Sequence, residues 1–402
     1  MGVYMRFILF YSGIESFNYF TDEIIKELHN LGHETFILDL RDANNTPGHS
    51  LKDLYEFTKA PVDAAIGYDQ MPTIGLAYIE LWNELNIPVI SIFMDPPFRF
   101  GDYNRVLPKS YLRFCCDIEH VTWCKRFCSD TIPNVYFLPH GATVPDKEPP
   151  SWENKKYDIL FSGTYYRPDS YIRNIREKYS SAVQKILFDA MEFMKANTSF
   201  SFPAAIDRIL SYADYNADDL TRLSVMESGE EADWYIRMYY REKVIDSVLE
   251  SGRNLWVLGR GWEDYPLFNH PHFHHISERV PFADSLDIMA DAKINLNVMP
   301  WYKDGTHDRV FNTLLRHSIP LTDSSTYLKE NFTDRNSIYY YELTKLNIIP
   351  DIIEEILDDP SKAKIVILNG IALVHEKYTL DKIIINILNA VNAFKADVEE
   401  YR

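Results

Sequence analysis

Residues 293–323, KINLNVMPWYKDGTHDRVFNTLLRHSIPLTD, decide the fold of this chain. Apolar residues alternate over 294–298 and predict a strand that stops at Pro300. A polar loop follows, and from Arg309 onward apolar residues recur at helical spacing. Residues 319–323 are then expected to form a second short strand. Because strand, loop, helix and strand is the repeating unit of a parallel sheet, we expect an α/β protein.

The polar loop of this unit, residues 301–308, is the expected ligand site. Ligands of open α/β sheets bind beyond the carboxyl ends of the strands, where such loops lie. The helix that follows offers N–H groups and a partial positive charge at its first turn. Arg309 adds a guanidinium that can hold two phosphate oxygens at once. This combination suits a diphosphate group.

The run NLNVMPWYKDGTHDRVFNTLL, followed by IPLTD, closely resembles the carboxy-terminal motif of CgeB-like (spore-maturation type) glycosyltransferases. Its HDR tripeptide, residues 307–309, is the most specific part of the motif. The resemblance extends to YDILFSG at 157–163, LWVLGRGW at 255–262 and NGIALVHEKYTLDKIIINIL at 369–388. It is strongest over residues 157–388 and weaker before them.

This resemblance implies the GT-B architecture, which has two Rossmann-like, doubly wound domains. It implies transfer of a sugar from a nucleotide-diphosphate donor, bound mainly on the second domain, to an acceptor bound mainly on the first. The acceptor can be a protein, a polysaccharide or a small molecule. The nucleotide sugar is a substrate, and no separate cofactor is expected.

Strand and helix patterns alternate along the chain and predict two domains. The first domain covers residues 1–143, and the Pro-rich, charged stretch 144–156 is expected to be a linker. The second domain covers 157–380. Its interval at about 168–252 is too long for one crossover, so a helical insertion is predicted there. The C-terminal helix, 381–402, is long enough to cross back to the first domain, as the last helix of GT-B proteins does.

Two short strands, at 121–124 and 135–138, are predicted near the end of the first domain. The same region holds all four cysteines, at positions 115, 116, 124 and 128. Their spacing matches no standard zinc site, so buried thiols are the favoured interpretation and a zinc site the alternative. A reduced compartment is consistent with unpaired cysteines.

The composition narrows the class of protein. The formal net charge is 41 − 59 = −18, and an acidic chain repels phosphate backbones, so no nucleic-acid partner is expected. No apolar run approaches the roughly 20 residues that span a bilayer. The first apolar stretch, residues 7–11, is too short for the core of a signal peptide. We therefore expect a cytoplasmic protein without a transmembrane segment.

Two glycine-arginine pairs follow predicted strands of the second domain and are candidate donor-binding residues. Gly163 ends YDILFSG, with Arg167 close behind, and Gly259 and Arg260 follow LWVL. A glycine at such a point lets the backbone approach a ligand, and an arginine can hold a phosphate. A tight turn with a solvated arginine is the competing interpretation at both places.

The polar loop and its helix supply the remaining donor-side candidates. Asp304 and Asn312 are eight residues apart, the separation of the paired glutamates that many GT-B enzymes carry. Neither is glutamate here, although Asn312 could still hydrogen-bond a ribose diol. His307 and Asp308 match the family pattern and are candidate catalytic residues, with Asp308 alternatively capping the helix. Arg309 is the predicted diphosphate ligand.

In the first domain, Asp95 is the candidate catalytic carboxylate. It follows the predicted strand PVISIFM, at the edge of the sheet where ligands bind. It could act as a base toward the acceptor or simply fix an Asp-Pro-Pro turn. His120 and His140 are weaker candidates.

The sequence favours a metal-independent enzyme. It contains no Asp-x-Asp pair, so cationic side chains and helix N-termini are expected to neutralise the diphosphate. A dense histidine tract raises the alternative of a metal site, but an exposed loop entering a strand is the favoured interpretation. Aromatic residues beside the polar loop could stack on a base or sugar, or pack in the core. The tract is formed by His270, His272, His274 and His275, and the aromatic residues are Trp301 and Tyr302.

A metal-independent GT-B glycosyltransferase is therefore the favoured function. A nucleotide-sugar epimerase of the same fold is the first alternative. A degenerate sugar-nucleotide-binding or scaffold protein is the second, because the paired acids are absent at positions 304 and 312. A nicotinamide dehydrogenase is disfavoured because no GxGxxG motif opens the first strand-helix unit.

Overall fold

The computed structural model describes residues 4–41, 49–211 and 217–400. The chain divides into two compact units. The first unit runs to Thr143 and resumes at Lys377, and the second is Val144–Glu376. Each unit is built on its own parallel sheet.

Six strands form the sheet of the first unit: β1 (Arg6–Tyr11), β2 (Glu34–Asp39), β3 (Ala64–Tyr68), β4 (Val89–Phe93), β5 (Tyr111–Cys115) and β6 (Val135–Phe137). They pair in parallel in the order β2-β1-β3-β4-β5-β6. Every residue of β3, β4 and β5 is buried, as expected for strands covered on both faces.

Helices connect these strands: α1 (Glu15–Asn30), α2 (Leu51–Phe57), α3 (Leu76–Leu85) and α4 (Ile118–Phe127). The helix α1 buries Phe17, Phe20, Ile24 and Leu28, which recur at helical spacing. Gly32 follows its end with a φ of 85°, a left-handed conformation that glycine adopts without strain.

The strand predicted at 121–124 is wrong, because these residues lie within α4. Asp117 caps the helix, since its side chain accepts a hydrogen bond of 2.7 Å from the N–H of Glu119. Val121 and Cys124 are buried at a helical spacing of three. An apolar run of four residues is too short to distinguish a period of 3.6 from a strand. The strand predicted at 135–138 is present as β6.

The second unit has six strands: β7 (Tyr157–Ser162), β8 (Leu255–Leu258), β9 (Phe273–Ser277), β10 (Ala292–Asn297), β11 (Ile319–Asp323) and β12 (Tyr339–Tyr341). Their parallel order is β12-β11-β10-β7-β8-β9. The chain builds outward from β7 in one direction and from β10 in the other. The crevice at the carboxyl ends of β7 and β10 is therefore the topological switch point, where sheets of this kind bind ligands.

In the part of the interval between β7 and β8 that the structure describes, the predicted insertion contains five α-helices: α5 (Pro168–Lys178), α6 (Ser181–Ala196), α7 (Phe202–Ser211), α8 (Asp219–Ser228) and α9 (Glu230–Glu250). The rest of the unit contains α10 (Phe282–Ala290), α11 (Asp308–Leu315), α12 (Thr326–Asn331), α13 (Ile349–Asp358) and α14 (Pro360–Lys377). Two doubly wound sheets with a helical insertion in the second confirm the predicted fold class.

Residues 144–156, expected to be a linker, lie in the second unit. Trp152 and Lys155 are buried there. The Lys155 ammonium donates hydrogen bonds to the carbonyl oxygens of Ala290 and Arg316, at 2.5 Å and 3.2 Å. Burial lowers the pKa of Lys155 to about 8. These contacts tie the entry of the second unit to the carboxyl ends of α10 and α11.

The last helix, α15 (Leu380–Glu400), belongs to the first unit, where it packs against α1. Its start is joined to the strand-like segment at Ala142, whose N–H donates to Tyr378 O at 2.8 Å and whose carbonyl accepts from Leu380 N at 3.0 Å. Farther along, the Lys395 ammonium lies 2.5 Å from Asp63 Oδ1. No helix in the described ranges is long and apolar enough to cross a membrane.

Candidate functional site

The loop that follows β10 is held at the switch point by bonds to neighbouring strands. The N–H of Met299 donates to Asp323 Oδ1 at 2.7 Å, and the Ser325 hydroxyl donates to the carbonyl of Gly305 at 2.6 Å. Asn297, at the end of β10, is buried, and its Oδ1 accepts a 2.9 Å hydrogen bond from Arg309 Nη1. The loop therefore presents Arg309 from a fixed position.

His307, and not Asp308, caps the helix α11, which corrects the predicted cap. His307 Nδ1 accepts the N–H of Arg309 at 3.2 Å and lies 2.7 Å from Asp308 Oδ1. Asp308 is already the first residue of the helix. Burial lowers the pKa of His307, and the Arg309 guanidinium lowers it further. Both effects favour the neutral imidazole, and the Asp308 carboxylate opposes them only in part.

Two buried arginines of the helix α9 join Arg309 at this place. The guanidinium carbons of Arg241 and Arg309 lie 5.4 Å and 5.9 Å from the centre of the Phe161 ring. Arg241 also donates to the carbonyl oxygen of Thr164, just beyond β7. Arg237, one helical turn earlier, lies 4.1 Å above the Trp301 ring of the polar loop.

The electrostatics of this arginine cluster, Arg237, Arg241 and Arg309, favour an anion. Burial and the charges of Arg309 and Arg237 together lower the pKa of Arg241 to about 9. Asp233 balances Arg237 at 2.9 Å, and Arg241 Nε is buried without a hydrogen bond among the described residues. Like charges held together in a buried place gain most from a ligand that carries two negative charges or more.

Arg237 and Arg241 were not among the residues predicted from the sequence. They lie on a helix that is buried on nearly every side, in the insertion that separates β7 from β8. One pattern in the sequence could have identified them. Asp233, Arg237 and Arg241 lie at successive intervals of four, which puts them on one face of a helix. Charged residues at that spacing within an otherwise buried helix call for a partner in the fold or in a ligand.

The glycines predicted to bind the donor have a packing role that the structure explains. A Cβ on Gly259 would lie 2.3 Å from the carbonyl oxygen of Gly163. The loops that follow β7 and β8 are joined by two hydrogen bonds, from Gly163 N to Leu258 O at 2.8 Å and from Tyr165 N to Arg260 O at 2.9 Å. Gly163 also borders the cluster, since a Cβ there would lie 3.7 Å from the Arg241 guanidinium carbon.

Arg167 and Arg260 are exposed on these two loops, outside the buried arginine cluster. Arg167 is the residue before the first turn of α5. The structure therefore separates the predicted donor-binding arginines into one half-buried residue, Arg309, and two on the surface.

Asn312, the predicted ribose ligand, is buried and already engaged with other side chains, and its binding role stays a prediction. It is fully buried, its Nδ2 donates to Asp308 Oδ2 at 3.2 Å, and its Oδ1 accepts from Arg316 Nη1 at 3.1 Å. Asp308 is likewise buried between His307 and Asn312. Asp304 is only partly buried, in the polar loop. The side chains at 308, 312 and 316 are thus hydrogen-bonded in series along the buried face of α11.

In the first unit, Asp95 follows β4 and is about half exposed. Its Oδ1 lies 3.2 Å from Arg99 Nη1. Beside it is a second carboxylate that the sequence analysis missed, Asp69, which is buried after β3 and accepts the N–H of Met94 at 2.8 Å. Burial and the charge of Asp95 raise the pKa of Asp69 to about 8. The raised pKa favours the protonated form of Asp69, next to the half-exposed carboxyl of Asp95.

The remaining candidates have structural partners. His120 and His140 are buried in the first unit. His272 and His274 both contact Asn254 Oδ1, at 3.2 Å and 3.0 Å. The four cysteines are buried thiols. Across 4–41, 49–211 and 217–400, no three His, Cys, Asp or Glu side chains come together as a metal-binding group.

Comparisons with known proteins relate this chain to glycosyltransferases. Residues 241–389 match a protein family described as glycosyl transferase-like. No curated protein sequence matches the chain significantly. Solved structures match nearly all of it, although sequence identity is low.

HepE of Anabaena, in complex with UDP and glucose, has a TM-score of 0.51 at 10% identity, over 97% of this chain and 100% of its own. The BGT of T4 phage, in complex with its UDP-glucose substrate, gives 0.54 at 11%, over 98% and 99%. An alpha-glucosyltransferase bound to UDP and a 13-mer DNA gives 0.54 at 11%, over 97% and 99%. The chain thus has the fold of GT-B glycosyltransferases, and its residues 241–389 carry a glycosyl transferase-like region.

Proposed function

We propose that this protein is a metal-independent glycosyltransferase that takes its sugar from a nucleoside-diphosphate donor. The donor binds at the switch point of the second unit, and Arg309 and Arg241 hold its diphosphate. The observation that carries this proposal is the approach of the two guanidinium groups to one Phe161 ring, at the carboxyl ends of β7 and β10. A developing negative charge on the leaving diphosphate would be stabilised there by groups already in place.

The likeness to structures solved with UDP or UDP-glucose supports a uridine nucleotide as the first donor to test. The HDR motif at the start of α11 supports the finer assignment to the CgeB-like subtype. Within the first unit, Asp95 is the proposed base toward the acceptor, because it is the half-exposed carboxylate at the ligand edge of the sheet. Four buried thiols support a reduced, cytoplasmic setting.

A nucleic-acid acceptor is not part of this proposal, although one structural neighbour was solved with DNA. The net charge of −18 opposes approach to a phosphate backbone. A protein, glycan or small-molecule acceptor is consistent with this charge.

Thermal unfolding with a panel of nucleotide-diphosphate sugars, in excess chelator, tests the proposal. At one hundred times its dissociation constant, a ligand adds about 2.7 kcal/mol to the stability, and the matching nucleosides at the same concentration should add far less. Equal effects of nucleoside and nucleotide sugar would contradict the diphosphate site. A requirement for Mn²⁺ or Mg²⁺ would contradict the metal-independent mechanism.

A second candidate is a sugar-nucleotide-binding protein without turnover. It is favoured by the residues that replace the paired acids, since Asn312 is buried and fully engaged with Asp308 and Arg316. Release of free nucleoside diphosphate from a bound nucleotide sugar, measured over hours with and without candidate acceptors, separates the enzyme from the binding protein.

A further inference from the structure

A polar cavity of about 230 Å³ lies in the second unit, beyond the carboxyl ends of β11 and β12. Its walls come from the polar loop after β10, the segments after β11 and β12, and the turn between α6 and α7. None of the cluster residues Arg237, Arg241 and Arg309 lines it. The cavity is therefore a place separate from the diphosphate site of the same unit.

The polar loop forms one wall of this cavity and is fixed there. The Lys303 ammonium donates to the carbonyl oxygen of Thr198 at 2.6 Å, and the Lys303 carbonyl accepts the N–H of Thr326 at 2.8 Å. Asp323, at the end of β11, anchors Met299 of the same loop. These bonds hold the wall without a ligand, so the cavity is preformed.

The charges that line the cavity balance. Lys303 and Lys329 contribute two positive charges, and Asp323 and Glu342 can contribute two negative ones. The other lining groups are mainly hydroxyls. Those of Tyr341 and Ser325 already donate to the carbonyl oxygens of Asn297 and Gly305, and the others come from Ser199, Ser324, Thr326 and Thr344. A polyanion would meet the two carboxylates, and an apolar ligand would leave many donors and acceptors unpaired. A neutral molecule rich in hydroxyl groups meets neither penalty.

We propose that this cavity binds a saccharide through one sugar ring. Its volume is below the roughly 300–1,000 Å³ of pockets that enclose drug-sized ligands, so a single ring suits it better than a whole oligosaccharide. The ring can come from a free or acceptor saccharide, or from the sugar of the donor itself. The inference does not depend on the diphosphate site.

Saturation-transfer NMR on the full chain tests the proposal with glucose, galactose, N-acetylglucosamine and maltose as probes. Thr344 is exposed at the cavity, so Thr344→Trp should fill the space while leaving the core intact. The matched control is Leu368→Trp, an exposed position on α14 of the same unit. At least one probe should bind wild type and Leu368→Trp equally, and its Kd should rise at least about tenfold in Thr344→Trp, or about 1.4 kcal/mol.

Glu342→Gln is the second variant, because it keeps the shape of an exposed side chain and removes one carboxylate acceptor. We expect its Kd for the same probe to rise about threefold, because the glutamine amide oxygen still accepts a hydrogen bond and only the assistance of the charge is lost. The proposal is overturned if no probe binds, or if Thr344→Trp binds as wild type does. It is also overturned if inorganic phosphate or glucose 6-phosphate binds more tightly than glucose.

Competition then identifies the source of the ring. If the nucleotide sugar displaces the bound probe while its nucleoside diphosphate does not, the cavity holds the sugar of the donor. If neither displaces the probe, the cavity holds a separate saccharide. Because the nucleoside diphosphate is titrated separately in the same samples, failure of the diphosphate site and failure of the saccharide site give different results.

Discussion

Arg241 and Arg309 lie over the same aromatic ring, with their guanidinium carbons 5.4 Å and 5.9 Å from the centre of Phe161. Phe161 is fully buried near the end of β7, and the two arginines come from different helices, α9 and α11. Two cations that approach a single buried ring repel each other unless an anion lies between or beside them. This relationship is the reason why we propose the switch point of the second unit as the diphosphate site.

Arg309→Ala should weaken nucleoside-diphosphate binding by about 1.5–3 kcal/mol, the range for a hydrogen bond to a charged group. Binding of the nucleoside should change little, because Arg309 is proposed to contact only phosphate oxygens. Arg309→Lys should recover part of the loss, since a lysine cannot reproduce the two parallel donors. Calorimetric titration of nucleoside, monophosphate and diphosphate measures each value.

The control for this series is Arg253→Ala, at the amino end of β8 and so at the edge of the sheet opposite the ligand. Its contact with Asp358 is 3.8 Å long and near the surface, so little change in affinity is expected. If Arg309→Ala kept the wild-type preference for diphosphate over nucleoside, the role assigned to Arg309 would be excluded.

Arg241→Met should lower diphosphate affinity while leaving the ligand-free protein as stable as wild type or more so. The substitution removes a buried charge whose pKa is depressed to about 9 by burial and by its arginine neighbours. It also removes the hydrogen bond to Thr164, which offsets about 1 kcal/mol of that gain. Thermal unfolding with and without nucleoside diphosphate gives both quantities. A large loss of ligand-free stability, with the ligand-induced shift unchanged, would instead make Arg241 a structural residue.

Much of the fold follows from local sequence patterns. Alternating apolar strands and amphipathic helices indicate two doubly wound sheets, because each element must bury its apolar face against the next. The stretch 293–323 contains β10, α11 and β11 as predicted, so Arg309 was placed at the ligand edge correctly. Contacts within one strand-helix unit are the ones that a sequence shows most directly.

The rest of the site depends on contacts that local patterns do not show. Arg241 reaches the switch point from a helix that follows β7 by some 70 residues, and its neighbour there, Phe161, is known only from the fold. The roles of Asp308 and Asn312 were partly visible, because positions 308, 312 and 316 are spaced by four and face one another on a helix. Asp69 and Asp95 come together only because β3 and β4 are adjacent.

The buried carboxyl of Asp69 should make stability depend on pH. Its pKa is raised to about 8 in the folded chain, against about 3.9 in an unfolded one. Between these values the folded state keeps a proton that the unfolded state has lost, so stability falls as pH rises from about 4 to 8. Asp69 alone accounts for a slope of at most about 1.4 kcal/mol per pH unit.

Asp69→Asn should remove this part of the slope, because an amide stays neutral at every pH in the window. Asp95→Asn should reduce the slope only in part, since it removes the neighbouring charge and leaves the burial of Asp69 in place. Chemical denaturation at pH 5, 6, 7 and 8 provides the free energy of unfolding for the three proteins. Identical slopes in wild type and Asp69→Asn would show that Asp69 is ionised in the folded chain.

Gly259→Ala should destabilise the second unit by more than its backbone conformation alone explains. Gly259 has a φ of 133°, and an added Cβ would lie 2.3 Å from the carbonyl oxygen of Gly163, a contact that the backbone must move to relieve. Gly252→Ala is the matched control, since its φ is 68° and its Cβ would meet nothing within 4 Å. That control should cost about 1–2 kcal/mol, the penalty of the left-handed conformation.

Gly259→Ala should lower the free energy of unfolding by clearly more than this control does. It should also weaken diphosphate binding, because Gly163 borders the Arg241 guanidinium. Equal costs for the two variants in urea denaturation would mean that the loops after β7 and β8 separate easily, and the close contact would then have no part in shaping the site.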